Sequence, residues 1–283
     1  VNQIISEGSA KNARKAEELR LGVSMLPPLP RDATDRNRTS PMAFTGNKFE
    51  FRACGSSQSC AGTNVVLNTS VAWAIDELCD AVEQKMAKGE EFATALKKVL
   101  SETFKAHKRI LFDGDNYTDA WKKEAAARGL ANVTSSVEAL KAFISADSME
   151  LFTKYSVFTE RELHSRYEIY VETYEKTIAI EAGCTATIGR TMILPAAIAY
   201  AESLAVSPLL AASAALRKQA KTAAGLVDAL ATALDGLDSA LDAGGAKKLI
   251  AAMTKVRKAA DELEAVVPAD MWPLPSYAEM FFG

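Results

Sequence analysis

The residues best equipped for chemistry in this chain fall within five consecutive positions, Lys48-Phe49-Glu50-Phe51-Arg52. On an extended strand successive side chains point to opposite faces. Lys48, Glu50 and Arg52 therefore share one face, and Phe49 and Phe51 the other. An acid held between two bases stays anionic and can ligate a hard cation, while the flanking cations bind phosphate or carboxylate oxygens. That combination points to phosphoryl chemistry on the charged face, with the aromatic face as an anchor. The same alternation also fits a solvent-facing strand with a ladder of charges. Just upstream, 32–38 places Asp32, Asp35, Arg36 and Arg38 in one loop. Such charges need water, one another or a ligand opposite them, and a ligand-facing loop is expected.

Several elements must hold these residues. The segment 4–20 reads as a polar helix, and Pro27, Pro28 and Pro30 impose an extended linker after it. A strand is expected over 44–53, with room for a short one before it, and 55–62 is a loop of small residues. From Asn64 the period becomes helical. Val65, Val66, Val71, Ile75, Leu78 and Val82 form an apolar stripe that ends near Gly89. Further helices are expected over 90–107, 117–128 and 135–144, with Gly129 as a C-cap and Thr134 or Ser135 as an N-cap. Asp113-Gly114-Asp115-Asn116 is a turn, without the later ligands a calcium loop requires. The pattern over 159–205 is the longest, and Pro195 should kink or break it near Ile193 or Leu194, with a second break at Pro208. An Ala-rich hairpin, 209–234 and 237–266, is expected to turn at Asp235-Gly236, with Gly244-Gly245 as the other candidate. It carries no Cys or His, so packing or subunit assembly suits it better than catalysis.

The 283 residues include 33 Lys plus Arg against 36 acids, a net charge of −3. No global basic field argues for nucleic acid or an anionic membrane. The uncharged run 203–216 is broken by Pro208 and falls short of the roughly 20 residues a membrane helix needs. Cys54, Cys60, Cys79 and Cys184 lack metal-ligand spacing and read as reduced core thiols in a reducing, cytoplasmic compartment. His164 shares a helical face with Glu160, Arg161, Tyr167 and Glu168 and reads as a structural or surface histidine. Trp272 and Tyr277, flanked by Pro273 and Pro275, should dock the C-terminus onto the body or a neighbouring subunit.

The run from Arg36 to Arg52, followed by Gly55-Ser56-Ser57-Gln58-Ser59 and Asn64-Val65-Val66-Leu67-Asn68-Thr69, resembles the catalytic-domain signature of glutamine synthetases of the long type III. Leu163-His164-Ser165-Arg166-Tyr167-Glu168-Ile169-Tyr170 and Asp270-Met271-Trp272-Pro273-Leu274-Pro275 are similar to the C-terminal part of that type. The resemblance implies an α+β fold: the C-terminal part of a catalytic domain, with an antiparallel β segment, followed by a predominantly helical extension. Its regions would be a helix and linker at 1–30, the signature strand, loop and helix at 31–88, and a helical region at 89–283 containing the hairpin 209–266.

The implied activity is ATP-dependent ligation of ammonia to the side-chain carboxylate of glutamate, through γ-glutamyl phosphate, in glutamine biosynthesis. Glu50 would ligate a magnesium or manganese ion, and Arg38 and Arg52 would contact phosphate or the glutamate carboxylate. Lys48 falls where many relatives carry arginine. It keeps the charge and loses the bidentate fork. Arg36 would join the site or pair with Asp32 or Asp35. A ring-shaped homo-oligomer is implied as well. The family's other acidic ligands find no match here, so the chain is expected to be an N-terminally incomplete piece, inactive alone. The alternative is a non-catalytic helical assembly or regulatory module that keeps the signature segment.

Overall fold

A computed structural model describes residues 2–8, 18–19, 29–30, 41–44, 48–53, 55, 57–112 and 114–282. The chain divides into two compact units, Val1–Leu163 and His164–Gly283.

In the first unit, α1 (Asn2–Glu7) packs on α3 (Phe92–Ala106), where the Ser101 hydroxyl donates to the Ile4 carbonyl at 3.5 Å. The helix expected over 4–20 does not run through. Glu18–Leu19 (β1) is extended and pairs antiparallel with Leu29–Pro30 (β2). A polar segment without an apolar stripe has no packing to sustain a long helix, and Pro30 suits an extended partner.

The expected strand is a hairpin. Here β3 (Met42–Phe44) pairs antiparallel with β4 (Phe49–Phe51), with Met42 opposite Phe51, Ala43 opposite Glu50 and Phe44 opposite Phe49. Beyond the hairpin, α2 (Ala61–Met86) lies against α3 over a small core of Val82, Ala95 and Val99, bordered by Leu78, Ala81 and Leu96. Side-chain caps start the shorter helices, because a β-region residue with an oxygen satisfies an orphan backbone N–H. Thr118 accepts from Trp121 N–H ahead of α4 (Asp119–Ala127), and Ser145 accepts from Ser148 N–H ahead of α6 (Ala146–Lys154). Between them α5 (Ser136–Leu140) follows its N-cap Ser135 and tightens into a 3-10 turn, Lys141–Ile144. Tyr155 fastens α6 to α2, its hydroxyl donating to Asp76 Oδ2 at 2.5 Å.

The second unit is helical among its described residues. From α7 (Glu160–Ile188) the chain passes through a π-turn, Gly189–Ile193, into α8 (Leu194–Ala205), with Pro195 in the first turn of α8. The helical run is thus not broken but distorted into a π-turn, just before the proline whose missing N–H predicts an irregularity there. By length and composition Glu160–Ala205 would suffice to cross a bilayer; in the structure Ile178, Ala182, Ala186, Ile193 and Ala197 on this run belong to the unit's core. After Pro208, α9 (Ala214–Ala243) and α10 (Ala246–Glu264) form the Ala-rich pair, and Leu230, Leu234, Leu237, Leu249, Val256 and Leu263 fill the space between them and α8. Met271, Trp272 and Leu274 pack on this core, whereas Tyr277, at the start of α11 (Tyr277–Phe282), is exposed. Trp272 therefore docks onto the body, whereas Tyr277 does not pack on it, and the neighbouring-subunit alternative is not tested by a single chain. Cys60, Cys79 and Cys184 are free and exposed rather than core thiols; the reading of Cys54 lies outside the described residues.

Candidate functional site

The hairpin arranges its residues by strand geometry alone. The pleat sends Lys48, Glu50 and Arg52 to one side. On that side the Glu50 carboxylate is shared between two cations. Its Oε1 lies 3.3 Å from Lys48 Nζ, and its Oε2 accepts a hydrogen bond from Arg52 Nη2 at 2.9 Å. Ala43, buried at 2% exposure, stands opposite Glu50 and leaves that face low enough for the charged side chains to converge. The cluster is graded in exposure. Glu50 and Arg52 are about one-third exposed and Lys48 about two-thirds. A lysine on four carbons can leave this pairing at little cost, because exposed ion pairs are screened. Arginine presents a planar fork suited to two oxygens at once.

On the opposite side Met42, Phe49 and Phe51 are exposed, Phe49 at 66%. The alternation is as predicted, and the aromatic face is exposed rather than buried among the described residues. Arg36 and Arg38 lie outside the described residues.

The fit to a divalent ion is poor. Among the described residues no group of three or more His, Cys, Asp or Glu side chains is gathered to hold a metal, and both Glu50 oxygens already face cations. A single carboxylate offers one or two of the six or more ligands such an ion takes. These residues do not make a metal site by themselves. What they can do is present positive charge to an anion, with Glu50 setting the positions of Lys48 and Arg52. His164 and His107 are both exposed, in line with a surface role.

Two polar clusters are absent from the sequence reading. Arg190, in the π-turn, donates from Nε to Asp238 at 3.0 Å and from Nη2 to Asp235 at 2.8 Å on α9. Its hydrogen bonds to Asp235, first, and to Asp238 raise its pKa above the usual arginine value. Tyr155 and Asp76 form the other. Only the spacing of Asp235 and Asp238, three apart on one helix, hinted at the first.

Residues 95–209 match the family model described as the glutamine synthetase C-terminal domain. The chain is similar to a type-3 glutamine synthetase of Dictyostelium discoideum, 36% identical over 305 residues, covering 100% of this chain and 41% of that protein. A glutamine synthetase of Butyrivibrio fibrisolvens is 36% identical over 277 residues, 89% of this chain and 38% of that protein. One from Bacteroides fragilis is 31% identical over 287 residues, 93% and 39% respectively. The chain thus spans about two fifths of the length of the curated relatives it matches. The hairpin signature, the helical match and these relatives agree: the chain belongs to the glutamine synthetase family, as the C-terminal part of a type III member.

Proposed function

We propose that this chain supplies the phosphate- and carboxylate-binding strand of an ATP-dependent glutamine-forming ligase, its substrates glutamate and ammonia. The observation that carries the reading is the convergence of Lys48 and Arg52 on Glu50 along one face of β4, within the signature segment of the family. The reaction places several negative charges together. A glutamate carboxylate oxygen attacks the γ-phosphorus of ATP and ADP departs; ammonia then attacks the acyl carbon and phosphate departs. Positioned cations lower both barriers by meeting charge as it develops. Arg52 and Arg38 would hold phosphate or the glutamate carboxylate, Lys48 would add a movable charge, and Arg36 would border the site. Glu50 keeps Arg52 in its strand-side position. The magnesium- or manganese-ligand role that the family resemblance gives Glu50 needs further carboxylates from outside these 283 residues. A ring-shaped homo-oligomer in the cytoplasm completes the reading.

The second reading, a non-catalytic helical module, draws on the absence of a metal-holding cluster among the described residues. Glutamine formation by the full-length parent and its Glu50→Ala variant separates the two. Loss of about a hundredfold or more in kcat/KM is expected if Glu50 belongs to the site, with circular dichroism unchanged. Full activity in the variant would remove Glu50 from it.

A further inference from the structure

The second unit contains a cavity that the catalytic reading does not use. It measures about 250 Å³ and opens between α8, the start of α9 and the residues after α10. Tyr200, Lys218, Gln219 and Thr222 supply its polar wall, and Ala223 and Val266 its apolar one. Tyr200 is 6% exposed. Its oxygen accepts a hydrogen bond from Gln219 Nε2 at 2.8 Å, which leaves the phenolic proton still to be donated. Among the described residues no acceptor faces that proton, and Lys218 and Thr222 have neither an ion pair nor a side-chain hydrogen bond. The neighbouring Arg217 is committed, donating to the carbonyls of Leu210 and Ala211.

The unpaired donors of this wall are thus the buried Tyr200 O–H and the exposed Lys218 ammonium, while the exposed Gln219 amide and Thr222 hydroxyl can each donate or accept. No carboxylate lines it. A donor left unmade at a buried position costs free energy until an acceptor arrives, and the complement of this set is an anion. The single cation and the absence of a guanidinium fork suit one carboxylate better than a doubly charged phosphate. The alanine and valine surface and the small volume suit a short aliphatic body. We propose that this cavity binds a small aliphatic monocarboxylate, Lys218 and Tyr200 meeting its charged end and Ala223 and Val266 its alkyl end. The proposal does not depend on the catalytic reading.

The test is an NMR titration of the 283-residue chain with butyrate, and with butanamide as its neutral counterpart, following Gln219 and Ala223. Saturable shifts with butyrate are expected, with butanamide at least about tenfold weaker, because a charge-assisted hydrogen bond is worth about that factor. Lys218→Met keeps the alkyl stem and should weaken butyrate about tenfold. Tyr200→Phe, which keeps the ring in the core, should weaken it severalfold. The proposal is overturned if Gln219 and Ala223 do not respond through the millimolar range, if butanamide binds as well as butyrate, or if both folded variants bind butyrate unchanged.

Discussion

Gly189 stands where the π-turn meets α9, and a Cβ built there would lie 2.6 Å from Leu234 Cδ2. Leu234 is fully buried, so it has no solvent to move into. Gly189→Ala should therefore cost about 1–3 kcal/mol in urea denaturation, the usual range for overpacking a core. Combining it with Leu234→Ala should cost less than the sum of the two single changes; strict additivity would mean the close approach is not the cause. Tyr155 makes a pH-dependent counterpart. Its hydrogen bond to Asp76 is the main reason its pKa rises from 10.0 to about 12. The folded value lies above the unfolded one, so the stabilisation is fully present below pH 10 and is lost as pH rises towards 12. The fall in stability across that window should shrink in Tyr155→Phe; an unchanged profile would assign the fall to other groups. Residues of this kind differ in how legible they are. The period of two in Lys48-Phe49-Glu50-Phe51-Arg52 states the charged face outright, because the partners are two positions apart. Arg190 and its two aspartates are 45 and 48 residues apart, a distance over which no local pattern operates.

At the scale of elements, proline and glycine behave differently as signals. Pro195 removes a donor whatever surrounds it, and the helix answers with the π-turn at Gly189–Ile193, so the site of its irregularity was legible. Asp235-Gly236 reads as a turn, yet α9 continues through it to Ala243 and turns at Gly244 and Gly245, at φ +67° and +94°. A glycine within a helix costs only about 1 kcal/mol. Burying Leu230, Leu234 and Leu237 on one face returns about 1.5–3 kcal/mol for each, so packing overrides the local preference. The two glycine sites should then respond to alanine with opposite signs. At Gly236 a Cβ meets nothing within 4 Å on a helical backbone, and Gly236→Ala should stabilise by about 0.5–1 kcal/mol. Gly244→Ala should destabilise by about 1–3 kcal/mol, the cost of a side chain at φ +67°, ψ 177°, a conformation essentially reserved for glycine. Guanidinium melts read both. A stabilised Gly244→Ala would contradict the placement of the turn.

For the whole molecule, the hairpin and the helical units stand on unequal footing. Each helical region has a core of its own, whereas a two-stranded hairpin is marginal in water without a third strand or a packed helix. The sequence made the charged face legible without showing what completes it, since on the proposed reading the metal carboxylates and a covering layer would come from segments distant in the chain. The curated relatives are each more than twice as long as the region they share with this chain, which leaves ample length for both. If catalysis needs those segments, the 283-residue chain should fold its helical units and yet form no glutamine from glutamate, ammonium and ATP, under conditions in which the full-length parent turns over. Electrostatics gives the reason. On that reading Lys48 and Arg52 would attract the reacting phosphates, but a single carboxylate would not gather the divalent charge that a transferred phosphoryl group requires. Measurable turnover by the isolated chain would show that the residues within it suffice, and the site would then have to be sought among them rather than shared with the rest of the protein.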